Sequence, residues 1–457
     1  MLLGVMVLGG GSIRSAEPPA AEKKPDWAAL DALVTAGDYR EAARVADEIA
    51  VAVKPKRRAP DFLPRSVELI RALTRRGLAQ LRLVEFDAAD DAFTEAYRAY
   101  KDSDFQRLLS LEARKAGAAV ASQMVMLEVS GVDLVDMRSL VIPYRMRYAN
   151  LTGRQVEEAS AALASQPVDD VARWLGELKV LKRIAADGRE SLAERFEKGG
   201  AAVLASPYSR AVAGKVRPAI IAGITSLELS RMPIEVLESD PVRDWLGPGS
   251  KVAADAAASE IRTALLQDAL DQFKKATVAL DEVVTAVSPT GAAGLRGDAR
   301  IEAALMESEL LVNRGAVMKE TGDLARARED FARAMELQRE VAVLRRNPNP
   351  DAHPDLFWPL LLDVDATLEQ ARQWKASGEN ERSQSVLHEV SKTLARAASL
   401  PVPEKHPLRA FLASLSSRLQ GQRAELEESL PRSDAADTAA RRLRGAIDAT
   451  ALPGIAP

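Results

Sequence analysis

The stretch LVNRGAVMKETGDLARAREDFARAMEL, residues 311–337, decides the fold. Its apolar residues recur every three or four positions on either side of Thr321-Gly322-Asp323, which predicts two helices joined by a tight turn. Gly315 on the first helix lets a partner approach, while Ala327 and Ala334 on the second make room for a neighbour and Phe331 fills the hole between them. The same frame occurs earlier in the chain. Leu73-x-x-Arg76-Gly77 is followed twelve residues after its glycine by Ala89-x-x-x-Phe93-x-x-Ala96, as Gly315 is by Ala327. A third copy of the second half, Ala269-x-x-x-Phe273-x-x-Ala276, has Ala257 where the glycine would stand. With nine Phe in the chain, about 0.3 such Ala/Phe/Ala triplets are expected by chance against the three found.

Composition agrees with helices throughout. Among 457 residues, 47% are hydrophobic and only 4% aromatic, and Ala, near the top of the helix-propensity scale, is abundant. No period-two alternation is sustained, so no strand is expected. The chain is too long for one ordinary core, and its Gly/Pro-rich breaks suggest a leader-like segment 1–21, helical regions 22–246, 251–346 and 355–449, and a disordered tail 450–457. Further helix breaks are expected at 54–64, Gly153, Pro167, Pro207, Pro233, 288–297 and 401–407. The segment Lys251 to Val287 contains no internal Gly or Pro and reads as one helix.

The paired frames resemble the tetratricopeptide repeat, whose unit carries a small residue on its first helix and an A-x3-F element on its second. Related turns occur at Ala36-Gly37-Asp38-Tyr39 and Ser377-Gly378-Glu379-Asn380. The chain departs from the family pattern at Arg76 and Arg314, which replace a Leu, at Gln80 and Met318, which replace a Tyr, and in lacking the Pro after the second helix. The resemblance implies an all-α protein of stacked antiparallel helical hairpins, an irregular α-solenoid with some long helices, whose curved face receives a protein or peptide partner. A non-repetitive Ala-rich bundle is the alternative.

Little in the chain suggests chemistry. Without Cys there is no disulfide, thiolate nucleophile or sulfur-ligated metal, and the three His lie in separate segments. Phosphate-loop, dinucleotide and nucleophile-elbow motifs are missing, so neither cofactor nor metal is expected, and the chain reads as not an enzyme. A helical toroid hydrolase is an unfavoured alternative, because it would need carboxylates and aromatics converging in one cleft. His353-Pro354-Asp355 has the tripeptide of co-chaperone J-domains but sits in a Pro/Asn-rich connector, and reads as a loop with a capping Asp.

A formal charge of -4 gives no global field for nucleic acid, and none is expected as a partner. Locally, Lys54, Lys56, Arg57, Arg58, Arg71, Arg75 and Arg76 lie in a basic stretch that could hold a polyanion or attach to an envelope surface. The apolar run Leu2 to Leu8, closed by Gly9-Gly10-Gly11-Ser12, resembles a secretory leader, which implies a periplasmic or secreted protein. No transmembrane segment is expected in the mature chain.

Overall fold

The computed structural model describes residues 26–116, 118–159, 167–197, 207–247 and 256–429. Both the leader-like segment 1–21 and the tail 450–457 lie outside them. Among the described residues there are 17 α-helices and three short 3-10 turns, with no strand. The first hairpins are α1 (Trp27–Ala36) with α2 (Tyr39–Ala52) and α3 (Phe62–Arg82) with α4 (Phe86–Lys101). Then come α5 (Ser103–Ala116), the long α6 (Ala118–Ala159), α7 (Pro167–Glu197), α8 (Pro207–Ala213), α9 (Val216–Ser230), α10 (Ile234–Leu237) and α11 (Asp240–Leu246). Next are α12 (Ala258–Val287), α13 (Gly297–Glu320) and α14 (Leu324–Leu344), and the series ends with α15 (Phe357–Ala376), α16 (Asn380–Ser399) and α17 (Pro407–Ser429). Neighbouring helices pack in pairs along the chain, giving an all-α, solenoid-like array.

The three phenylalanines of the repeated frame lie in the interior. Phe93, Phe273 and Phe331 are 0% exposed, as are Ala89, Ala96, Ala269, Ala276, Ala327 and Ala334. Each ring lies against a glycine on the facing helix. A Cβ added to Gly77 would stand 2.6 Å from the Phe93 ring, and one on Gly315 would stand 2.8 Å from Phe331. For Phe273 the glycine is Gly223 on α9, where a Cβ would fall 2.7 Å from the ring. The expected Ala257 is instead the exposed N-cap residue of α12. A fixed twelve-residue spacing misses Gly223 because the connection between α9 and α12 is enlarged to carry α10 and α11.

The hairpin turns share one geometry. One or two residues past each first helix the backbone takes positive φ, at Gly37 (79°), Val84 (66°), Gly322 (87°) and Gly378 (80°). The next amide donates back across the turn, as in Glu85 N to Gln80 O at 2.9 Å and Asp323 N to Met318 O at 2.9 Å. Asp38 and Asp323 then cap the second helices through Glu41 N and Arg326 N. Val84 is the exception in kind, since a β-branched side chain in this region meets the following carbonyl.

Two helix expectations change. Helix α12 begins at Ala258, so the anticipated continuous helix from Lys251 is shorter; residues 251–255 lie outside the described set. Gly153 makes no break, because α6 runs through it and through Pro143 for 42 residues, about 63 Å at 1.5 Å per residue. Between Val129 and Met146 this helix is buried nearly all round, touching α4, α7, α8 and α9. One apolar core extends from Leu30 to Ala366 without interruption at the Gly247 break, and a second, from Met335 to Leu426, lies under the C-terminal hairpins.

The first hairpins meet the connector between α14 and α15. Asn347 Nδ2 donates to Thr35 O at 2.9 Å, Pro354 covers Gly37, and Asp355 accepts from Tyr39 Oη at 2.8 Å and Arg82 Nη1 at 2.6 Å. His353-Pro354-Asp355 is therefore more than a capped loop: Asp355 pins the connector to the first two hairpins.

Phe331→Ala should lower the unfolding free energy by about 3–5 kcal/mol through the cavity it leaves; an unchanged urea midpoint would remove the ring from its wedge role. Val84→Gly should raise stability by about 1 kcal/mol by relieving the left-handed strain, read in the same denaturation series.

Candidate functional site

At this junction, the turns after α1 and α3, the middle of α6, and segments 354–359 and 401–408 enclose a cleft of about 390 Å³. Six of the chain's aromatic side chains converge on it: Tyr39, Phe86, Tyr144, Tyr148, Phe357 and Trp358. They come from four distant stretches, brought together because α6 crosses the array and the connector before α15 returns to α1. A second cavity of about 470 Å³, between α6, α13, α15 and α17, shares Arg147 and Trp358 with the first.

Arg147 is the septum between the two. Its Nε donates to Glu228 Oε1 at 2.7 Å and its Nη2 to Asn313 Oδ1 at 2.6 Å. The guanidinium lies 5.2 Å from the Tyr144 ring centroid and 5.3 Å from that of Trp358. The group is fixed on both edges and sandwiched by aromatics, so it holds its place as a rigid plane.

Most of the carboxylates around these cavities have basic partners. Burial alone would raise the Asp355 carboxyl, but Arg82, with His353 and Tyr39, more than offsets it and holds it below the usual range. Burial likewise opposes ionisation of Glu228, and Arg147, Arg231 and Asn150 overcome it. For Asp365 the same balance is struck by Lys319 and Arg418, both ion-paired to it. Glu320 pairs with Arg231 at 3.0 Å, and Asp38 caps α2. Tyr144 Oη donates to Glu309 at 2.7 Å, and burial followed by that carboxylate pushes the phenol well above its ordinary value. Asp355, Glu228 and Asp365 are thus held as charged anchors for the basic side chains beside them. Asp133 differs, pushed up to about 6 by burial against the opposing pull of Arg217 and Tyr208, but it lines neither cavity.

The basic stretch is divided between two environments. Arg71 and Arg75 reach Asp31 of α1 at 3.8 and 3.2 Å, and Arg71 also lies 4.2 Å over the Trp27 ring. Arg76 bridges Asp47 of α2 and Glu95 of α4 at 2.5 and 3.1 Å. Arg57 pairs with Asp102 at 3.2 Å, leaving Lys54, Lys56 and Arg58 exposed in the loop after α2. The three helical arginines tie hairpins together, in positions where the sequence alone suggests an open basic face.

Arg147 and Trp358 are not marked by any local motif. The one signal near the cleft is His353-Pro354-Asp355 with the adjacent Phe357 and Trp358. Among the described residues no group of His and acidic side chains is arranged to hold a metal ion, and no helix is long and apolar enough to cross a membrane. Compared with known family models, curated proteins and solved structures, the chain matches none.

Burial pulls His353 and His406 below their ordinary value. Around His353, Asp355 opposes the shift while Arg82 and Arg345 add to it; around His406 the Arg82 carbonyl opposes and Arg409 adds. A base depressed in the folded state takes its proton first in the unfolded chain, so the associated stability is present above about pH 6.5 and lost as pH falls below it. The melting temperature should drop between pH 7.5 and 5.5, and drop less in the His353→Gln/His406→Gln variant; equal drops would dissociate the imidazoles from the effect.

Proposed function

We propose that the protein is a non-catalytic interaction scaffold of the tetratricopeptide-like class, exported to the cell envelope, which receives an extended segment of a partner protein in the central cleft. The observation that carries this reading is the convergence of six aromatic side chains on one cleft that also holds the fixed Arg147 guanidinium. Aromatic faces and Arg planes supply large contact area with few torsions to freeze, which is why they dominate the affinity of protein interfaces. Pro354, Pro359, Pro401 and Pro403 stiffen the lining further.

The class assignment is supported by three Gly/Phe wedges and by the turns that repeat at Gly37, Gly322 and Gly378. Export is supported by the run Leu2 to Leu8 alone. The polyanion reading of residues 54–76 draws less support, because Arg71, Arg75 and Arg76 already have acidic partners.

A photoreactive phenylalanine analogue placed at Phe86 tests the reading inside cells. Illumination should join it to a discrete protein in the envelope fraction. Trp358→Ala should abolish that adduct, and the same analogue at the exposed Val51, about 18 Å along α2 from Tyr39, should not form it. Identical products from both positions would refute the cleft as the binding face, and a full-length protein confined to the cytoplasm would refute export.

A further inference from the structure

A second concave surface lies on the middle of the array, apart from the aromatic cleft. Helix α7 packs on α6, α6 on α9 and α9 on α12, so that α7 and α12 flank a groove of about 790 Å³. Small residues from both walls and from α9 line it, among them Ala185, Ala219, Ala222 and Ala279. Val278 projects beside them, 53% exposed. Alanine surfaces of this kind admit a helix at the short end of the 8–10 Å range of interaxial distances.

The charge in the groove is one-sided. Arg189 is committed to Asp136 and to Val212 O, the latter at 2.9 Å. Among the described residues, Lys182, Lys215, Lys274 and Lys275 line the groove with no ion pair, and of the lining carboxylates Asp136 is paired and Glu282 is not. Four cations without an ion pair against one such anion stand out in a chain whose formal charge is -4. Lys182 lies 3.7 Å over the Trp245 ring, and burial pulls its ammonium down to about 8 with only Asp268 opposing. An incoming carboxylate would relieve that penalty.

The cations are also spread out. Arg189 reaches the end of α8, just before Lys215, whereas Lys182 stands two turns earlier on α7, about 10 Å away at 1.5 Å per residue. Lys274 and Lys275 occupy the opposite wall on α12. One compact phosphate or carboxylate head group cannot meet all four. Carboxylates recurring every three or four residues along a helix can, while the other face of that helix lies on the alanines and Val278.

We propose that this groove docks an acidic amphipathic helix of a partner protein, its carboxylates meeting Lys182, Lys215, Lys274 and Lys275 and its apolar face covering Val278. The proposal is independent of the aromatic cleft and survives if that cleft binds nothing.

The test uses the full chain and two labelled synthetic helices of about 18 residues, one with an Ala/Leu face and a Glu face, the other with Lys in place of each Glu. Fluorescence anisotropy at low salt should show binding of the Glu helix only, weakened at about 500 mM salt. The Lys274→Glu/Lys275→Glu variant changes two exposed side chains and keeps the fold, checked by circular dichroism; it should bind about tenfold more weakly or worse. Val278→Asp should weaken binding too. The proposal is overturned if the Glu helix fails to bind at low salt, or if Lys and Glu helices bind alike. It is also overturned if Val278→Asp changes nothing while inorganic polyphosphate binds as tightly as the helix, which would make the groove a general polyanion track.

Discussion

The array depends on a phenyl ring resting where a glycine has no side chain. At Gly77/Phe93, Gly223/Phe273 and Gly315/Phe331 even one methyl group would overlap the ring. Both partners are needed: glycine sets how near the helices come, and the ring fills what closeness alone would leave void. Glycine in a helix interior costs about 1 kcal/mol relative to alanine, and a fully buried aromatic side chain offsets that cost. The flanking alanines extend the same logic to the next helix in line. Because the contact recurs, α3/α4, α9/α12 and α13/α14 are equivalent units despite very different connections.

This explains what the sequence discloses and what it hides. The Ala/Phe/Ala triplets are local, so periodicity reveals them. Gly223 is hidden because α10 and α11 separate it from Phe273. Helix α6 is hidden for another reason: a helix buried nearly all round has no polar stripe to give it a 3.6-residue signature, and Gly153, which reads as a stop, is passed without a break. The aromatic cleft is the least legible part, since Tyr39, Phe86, Tyr148 and Trp358 are brought together by the whole array and share no spacing. His353-Pro354-Asp355 is conspicuous in the sequence, yet its role needs Tyr39 and Arg82, which come from the other end of the chain.

Charges set the register of the long central helix. Apolar surfaces slide with little penalty, but an ion in the interior tolerates few positions. Along α6, Asp133 meets Arg217 at 3.2 Å, Asp136 meets Arg189, and Arg147 meets Glu228. These pairs reach α9 and α7, and Arg147 also touches α13 through Asn313. Such buried pairs contribute little net stability, because desolvation cancels most of the attraction. What they fix is which turn of α6 faces which neighbour, and hence where Arg147 stands between the two cavities.

The junction of Asp355 with Tyr39 and Arg82 has a consequence for how such a chain can change over generations. An open array of hairpins grows or shrinks by whole units, each new one stacking on the last. Here an early turn and a late connector must coincide, so duplicating or deleting one hairpin would carry Asp355 past its partners and break its buried ion pair with Arg82. Lengthening is tolerated only within a unit, as the insertion holding α10 and α11 illustrates: the number of hairpins between the two ends is locked by geometry, and novelty enters through the loops.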